Sequence, residues 1–221
     1  MSNLETSVSY GWIILQGASA TLQLTILSLI TALVMAFIAG VSLTSENVFV
    51  RGLARTYVEV FRGTSAFVQL FVAFYVLPLV GIELSPIMAG VLALGLNGGS
   101  YAAEVVRSAI EAIGKDQRET TIALNLTKAQ AMLWVILPQG IALMLPSFGN
   151  LAIEILKGTA LVSLIAVPEL TTQAQMVRSQ TGETAYPFIL LLITYLVIAS
   201  LIMFLVRRLE RHYRNRLSTA S

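Results

Sequence analysis

Several stretches of this 221-residue chain are apolar for long enough to cross a lipid bilayer, and this limits the possible folds more than any other feature. In hydrocarbon no water satisfies the backbone, so a spanning segment must be a helix or part of a closed barrel. A helix needs about 20 mostly apolar residues. The stretches fall at residues 16–43, 65–80, 86–106, 146–167 and 187–206. Residues 57–63 precede the second one, carry Glu59 and Arg62, and are expected at the interface. The region 132–167 is too long for one perpendicular crossing at about 1.5 Å per residue. It is divided at Pro146, because proline suits the first turn of a helix. Residues 128–145 then form a helix near the cytoplasmic surface. The expectation is an all-α membrane protein with five transmembrane helices. Composition agrees, with 56% apolar and 12% charged residues, against about 25% charged in soluble domains.

Basic residues orient the spans, since Lys and Arg collect in cytoplasmic connections. The segment before residue 16 has none. Arg51, Arg55 and Arg62 follow the first span, and none follows the second. The third connection has Arg107, Lys115, Arg118 and Lys128, the fourth only Arg178, and the tail five arginines from Arg207 to Arg216. The alternation puts the N-terminus outside and the C-terminus in the cytoplasm. Residues 1–15 are read as extracytoplasmic, 16–208 as the membrane domain and 209–221 as a basic cytoplasmic tail. No small-residue cleavage site follows a short apolar core, so no removable signal peptide is expected.

The chain lacks cysteine, and with it a disulfide framework, a thiolate metal site or a cysteine nucleophile. Its single Asp, Asp116, and single His, His212, lie outside the spans. Glu154 and Lys157 fall inside the fourth span, three residues apart and therefore on one helical face. A charge at the bilayer centre costs about 2.5–3.5 kcal/mol on insertion scales, so such residues face a cavity or each other. Two readings stand: a polar pathway meeting a zwitterion, with Lys157 toward a carboxylate and Glu154 toward a cation, or a structural pair fixing helix packing. Asn97-Gly98-Gly99-Ser100, inside the third span, suits close helix packing, with pathway lining by Asn97 and Ser100 as the other reading. Glu104 and Arg107 read as an interfacial ion pair. Trp12 and Tyr10 read as an interfacial anchor.

The segment between the third and fourth spans, QRETTIALNLTKAQAMLWVILP from Gln117 to Pro138, resembles the "EAA" loop of ATP-binding-cassette importer permeases. Glu119, Thr120, Thr121, Asn125, Val135, Leu137 and Pro138 occupy its positions. Further motifs resemble permeases for polar amino acids: Gly17 to Thr25, Phe61-Arg62-Gly63-Thr64-Ser65, Tyr101 to Glu104 with Arg107, Leu145-Pro146 with Gly149-Asn150, Lys157 to Ser163, and Val167-Pro168-Glu169-Leu170. Over residues 17–208 the chain is similar to the His/Glu/Gln/Arg/opine-type family.

The resemblance implies the type I importer permease fold: five spans and a cytoplasmic helix–turn–helix coupling loop that docks on an ATPase through Arg118, Glu119, Thr120, Thr121 and Asn125. It implies a substrate pathway near Glu154 and Lys157, with Asn97 and Ser100. Expected partners are a second permease subunit in a homo- or heterodimer, two ATP-binding-cassette ATPases, an extracytoplasmic solute-binding protein and membrane lipid, with no nucleic acid. The setting is the bacterial cytoplasmic membrane. No Walker A sequence occurs, so ATP is expected on a separate chain and no cofactor on this one. ATP-driven closure would rock the spans between outward- and inward-open states. Three departures stand out: the loop alanines are Thr120 and Thr121, its glycine is Asn125, and Gly158 stands where the family has Asp. Asn tolerates the left-handed region that such a turn needs. Gly158 cannot pair with an ammonium, so either the partner subunit holds the substrate or the substrate's cationic group is less demanding. The rival readings are a membrane-embedded hydrolase, for which only Lys157 with a serine is conceivable, and a scaffold without transport.

Overall fold

The computed structural model describes the backbone of residues 3–218, and the side chains of residues 10–213 other than Lys115, Asp116, Arg118 and His212. Every regular element in this range is helical. In chain order they are α1 (Asn3–Leu43), α2 (Val48–Gly63), α3 (Ala66–Phe71), α4 (Pro86–Ala112), α5 (Lys115–Ala123), α6 (Lys128–Gln130), α7 (Leu137–Gly158), α8 (Leu170–Thr181) and α9 (Ala185–Ser218). A wide turn, Val72–Val76, and a 3₁₀ turn, Leu77–Val80, prolong α3. Another wide turn, Ala131–Ile136, joins α6 to α7, and a 3₁₀ segment, Thr159–Ile165, follows α7.

Local chemistry sets several of these boundaries. The Asn47 side chain accepts from the Phe49 N–H and starts α2. Ser85 caps α4 immediately before Pro86, and Thr127 with Gln130 forms a capping box at α6. Gly81, at φ +86°, ends the 3₁₀ turn after α3 in a conformation that side chains resist.

Tyr10–Leu43, Lys128–Ile165 and Ala185–Arg211 are each long and apolar enough to cross a membrane. The pair Val48–Gly63 and Ala66–Val80, bent by 101°, would make a fourth. At 27 residues α4 is long enough as well, about 40 Å at the helical rise. Its glycines and polar residues dilute its apolar character because α4 is the central helix, packed on α1, α2, α3 and α7. Small residues allow close contact. A Cβ on Gly40 of α1 would lie 2.7 Å from the Ala103 carbonyl oxygen, and one on Gly99 would lie 3.0 Å from that of Ala32. Gly98 faces Leu151 and Ile155 of α7 instead. One core cluster gathers Ala36, Val106, Ile110, Met144 and Ile155, and a second gathers Leu24, Leu70, Leu94 and Val162.

The division at Pro146 is corrected: α7 runs unbroken through it. A proline removes one backbone donor, but within a span neighbouring helices keep the helix together. Met144 and Leu151 are buried beside Pro146, and Gly149 meets Val206 of α9. The break comes later, at Ala166, which takes φ +59° after the 3₁₀ segment. α1 begins at Asn3 and α9 continues to Ser218, so both helices extend beyond the apolar stretches that start at residue 16 and end at residue 206.

Candidate functional site

Between α4 and α7, α5 is followed by a turn at residues 124–127 and then by the short helix α6. Asn125 takes φ +57°, one of two described non-glycine residues with positive φ. Its N–H donates to the Ile122 carbonyl at 2.9 Å, and the Leu126 N–H reaches the Thr121 carbonyl at 3.0 Å. This is the Schellman arrangement, with Asn in the left-handed position usually held by Gly. Glu119 and Thr120 are exposed and Thr121 is buried. The Arg118 side chain lies outside the described residues. Ile122 and Leu124 are 74% and 65% exposed beside the turn. Sequence reading passed over this apolar pair; two aliphatic residues on an otherwise polar helix were the available signal. Lys128 Nζ sits 2.6 Å from Glu46 Oε2, tying the loop to the connection ahead of α2. The Lys128 ammonium, through this hydrogen bond and its charge, holds the Glu46 carboxyl below the ordinary range.

Asn97 and Glu154 line one cavity of about 170 Å³ between α4 and α7, with Gly98, Gly158 and Ala66. Lys157 is not in it. It lines a separate groove of about 500 Å³ with Tyr195, Phe188 and other residues of α9. The two charges thus leave α7 on either side of Ile155 and Leu156, and no ion pair joins them among the described residues. Ser100 is buried and donates to the Asn97 carbonyl at 2.6 Å, outside the cavity lining. No serine hydroxyl bonds Lys157 among the described residues, so a Lys–Ser hydrolase gains nothing.

Asn97 also has a mechanical part that sequence reading missed. Its amide donates to the Phe61 carbonyl at 2.9 Å, and Gln69 donates to the same carbonyl at 2.9 Å. Phe61 lies near the end of α2, where the 101° bend denies its carbonyl an ordinary helical partner. The Tyr57 hydroxyl adds a bond to the Leu96 carbonyl at 2.7 Å. Arg62 stacks on Tyr101 and approaches Glu104, while Arg107 bonds Glu104 and Glu111 at 2.8 and 2.7 Å. The expected Glu104–Arg107 pair is therefore part of a larger network that fastens α2 to α4.

Residues 13–215 match the family model described as the binding-protein-dependent transport system inner membrane component. The chain belongs to this family. The permease is thus a multi-pass inner-membrane transport subunit and not an enzyme, and membership implies partnership with an ATPase and a binding protein. It is 45% identical over 203 residues to a probable amino-acid ABC transporter permease protein, y4tF, of Sinorhizobium fredii, covering 88% of this chain and 84% of that one. It is 33% identical over 204 residues to the glutamine transport system permease protein GlnP of Escherichia coli K12, covering 91% and 93%. Its fold matches a crystal structure of an amino acid ABC transporter with histidines, at a TM-score of 0.86 and 33% identity over 96% of this chain and 99% of that one. The MetNI methionine transporter in inward-facing form shares the fold, at a TM-score of 0.79 and 20% identity over 96% and 99%.

Proposed function

We propose that this permease carries polar amino acids or related zwitterions inward, with five spans, its N-terminus outside and the α5–α6 loop in the cytoplasm. It pairs with a second permease copy or a related subunit, two ATPase chains that bind the ATP, and an extracytoplasmic receptor. Glu119, Thr120, Asn125 and Arg118 form the face toward the ATPase, with Ile122 and Leu124 as its apolar part and Thr121 buried behind it. A charged residue beside two exposed aliphatic ones suits a partner groove with a polar rim.

The observation that carries the substrate assignment is the Glu154 carboxylate on a cavity otherwise lined by Asn97, glycine and apolar groups. Such a cavity favours an ammonium group. Lys157, on the α9 side, suits a carboxylate, so a zwitterion would bridge the two sides of α7's end only if the helix moves or the partner subunit contributes. Gly158 stands where the family has Asp, and a Cβ there would lie 3.0 Å from Leu94.

The test is uptake by the complex reconstituted with its ATPase and receptor, using glutamine, arginine and histidine as probes. Glu154→Gln should abolish most uptake while basal ATP hydrolysis persists. Lys157→Met should lower uptake, and Lys157→Arg should restore part of it. Wild-type uptake in both Glu154→Gln and Lys157→Met would assign substrate contact to the partner subunit. Reporter fusions after Asn47 and Asp116 should read cytoplasmic, and one after Glu83 extracytoplasmic; a cytoplasmic signal at Glu83 would sink the topology.

A further inference from the structure

We propose that Glu169 is a proton-binding site: a buried neutral carboxyl that heads an ordered hydroxyl chain through Tyr195 to Thr159. Glu169 is fully buried, with a relative exposure of 0%. It lies in the connection between two candidate spans, at the start of α8, where its Oε1 accepts from the Thr172 N–H at 2.7 Å. Its Oε2 is 3.2 Å from Tyr195 Oη. Tyr195 Oη is in turn 3.1 Å from Thr159 Oγ1, which donates to the Leu156 carbonyl at 2.7 Å.

Counting hydrogens decides the protonation state. Threonine and tyrosine hydroxyls carry one each. The Thr159 hydrogen goes to its shorter contact, Leu156 at 2.7 Å rather than Tyr195 at 3.1 Å, which leaves the Tyr195 hydrogen to fill the contact with Thr159. The buried Thr171 hydroxyl also reaches Glu169 and Tyr195, but neither Tyr195 nor Thr159 then has a hydrogen left for the Tyr195–Glu169 contact, which the carboxyl's own hydrogen fills. A neutral Glu169 donates to Tyr195, Tyr195 to Thr159, and Thr159 to Leu156, and every short contact holds one hydrogen. An ionised Glu169 turns the Tyr195 hydroxyl toward itself. Two oxygens then face each other at the fully buried Thr159 with no hydrogen between them.

The surroundings offer little to hold a charge. Between Tyr10 and Leu43, α1 has no charged residue, and neither has Thr159–Ile165 or α9 from Ala185 to Val206. Tyr10 packs in the same cluster as Tyr195. Arg178, on α8, is nine residues along from Glu169, or about 13 Å at the helical rise. From α7, Glu154 faces the other cavity, and Lys157 shares the groove with Tyr195 but forms no ion pair with Glu169. Burial pushes the Glu169 carboxyl up, against N–H groups of Thr171 and Thr172 and the hydroxyls of Tyr195 and Thr171 that pull it down. The chain of hydroxyls ends on Leu156, where α7 gives way to the 3₁₀ segment. The proton therefore sets which way the Tyr195 hydroxyl points, toward Thr159 at the end of the helix carrying Glu154 and Lys157 or toward Glu169.

Infrared spectroscopy of the full chain in phospholipid nanodiscs tests this, because a protonated carboxyl has its own C=O stretch. At about pH 7, far above an ordinary Glu, the wild type should show that band. Glu169→Gln should lack it, and Tyr195→Phe should shift its frequency through loss of the acceptor. A wild-type band absent from about pH 5 upward, or one unchanged by Glu169→Gln, overturns the proposal. Should Glu169→Gln fail to fold, a pH titration of the wild type against Thr159→Val decides. Without the Thr159 hydroxyl, Tyr195 is free to donate to the carboxylate, so the band should vanish at lower pH than in the wild type. An unmoved midpoint also overturns it.

Discussion

The side-chain amide of Asn97 donates to the carbonyl of Phe61 across 2.9 Å, so the residue that lines the candidate substrate cavity also fastens the 101° bend between α2 and α3. Asn97→Leu keeps the branched outline of the side chain and removes the donor. Gln69 still reaches the Phe61 carbonyl, so the loss should be about 1 kcal/mol, read as a lower melting temperature of the purified permease. Asn97→Asp should cost more, because a carboxylate would face that carbonyl. Equal melting of wild type and both variants would show that the bend does not depend on Asn97.

Close approach of α1 and α4 gives a paired prediction. A Cβ on Gly40 would meet the Ala103 carbonyl oxygen at 2.7 Å and Val106 Cβ at 2.6 Å, and backbone cannot rotate away. Gly40→Ala should therefore lower stability and reduce folded yield. Gly52, inside α2, has nothing within 4 Å of the same added atom. Gly52→Ala should be neutral or stabilising by about 0.5–1 kcal/mol, since alanine has less backbone freedom to lose. Size-exclusion profiles and melting of the two variants compare them directly.

At the proposed coupling loop, Asn125→Gly should leave ATPase co-purification intact, because glycine accepts φ +57° without strain. Asn125→Val should cost about 1–2 kcal/mol locally and weaken co-purification. Glu119→Lys should weaken it too, with membrane insertion unchanged. If all three variants retain the ATPase equally, this loop is not the docking element.

The Glu46–Lys128 contact predicts a pH dependence with a definite sign. The folded Glu46 carboxyl is held below its unfolded value. Its contribution is therefore present above the ordinary carboxylate range and is lost as pH falls through the lowered folded value. The melting difference between wild type and Glu46→Gln should be constant above about pH 5 and shrink on further acidification. It should also shrink in high salt, since both side chains are exposed. A difference that grows in acid would contradict the pairing.

Glu169 carries the opposite sign. Its folded carboxyl is raised, so its contribution is complete below the unfolded value and is lost as pH rises through the folded one. At neutral pH, Glu169→Gln should melt no lower than the wild type. Tyr195→Phe should melt lower, because Glu169 and Thr159 then share no hydroxyl.

What the sequence determined by itself about this permease was whatever depends on near neighbours or on composition. Apolar stretches of bilayer length predict helices because hydrocarbon leaves the backbone no other partner. Asn125 could be read as the turn residue because tolerance of a left-handed conformation belongs to the residue. The motifs also pointed to the family. Only the tertiary structure decided where side chains arrive. Pro146 reads locally as a helix start, yet packing of Met144, Leu151 and Gly149 carries α7 through it. Glu154 and Lys157 share a helical face by spacing, but α4 lies on one side of that face and α9 on the other, so each enters a different cavity. Asn97 meets Phe61 across 36 residues and Glu169 meets Tyr195 across 26. Such contacts follow from how helices cross, and crossing depends on small residues such as Gly40 and Gly99 meeting backbone from a distant part of the chain.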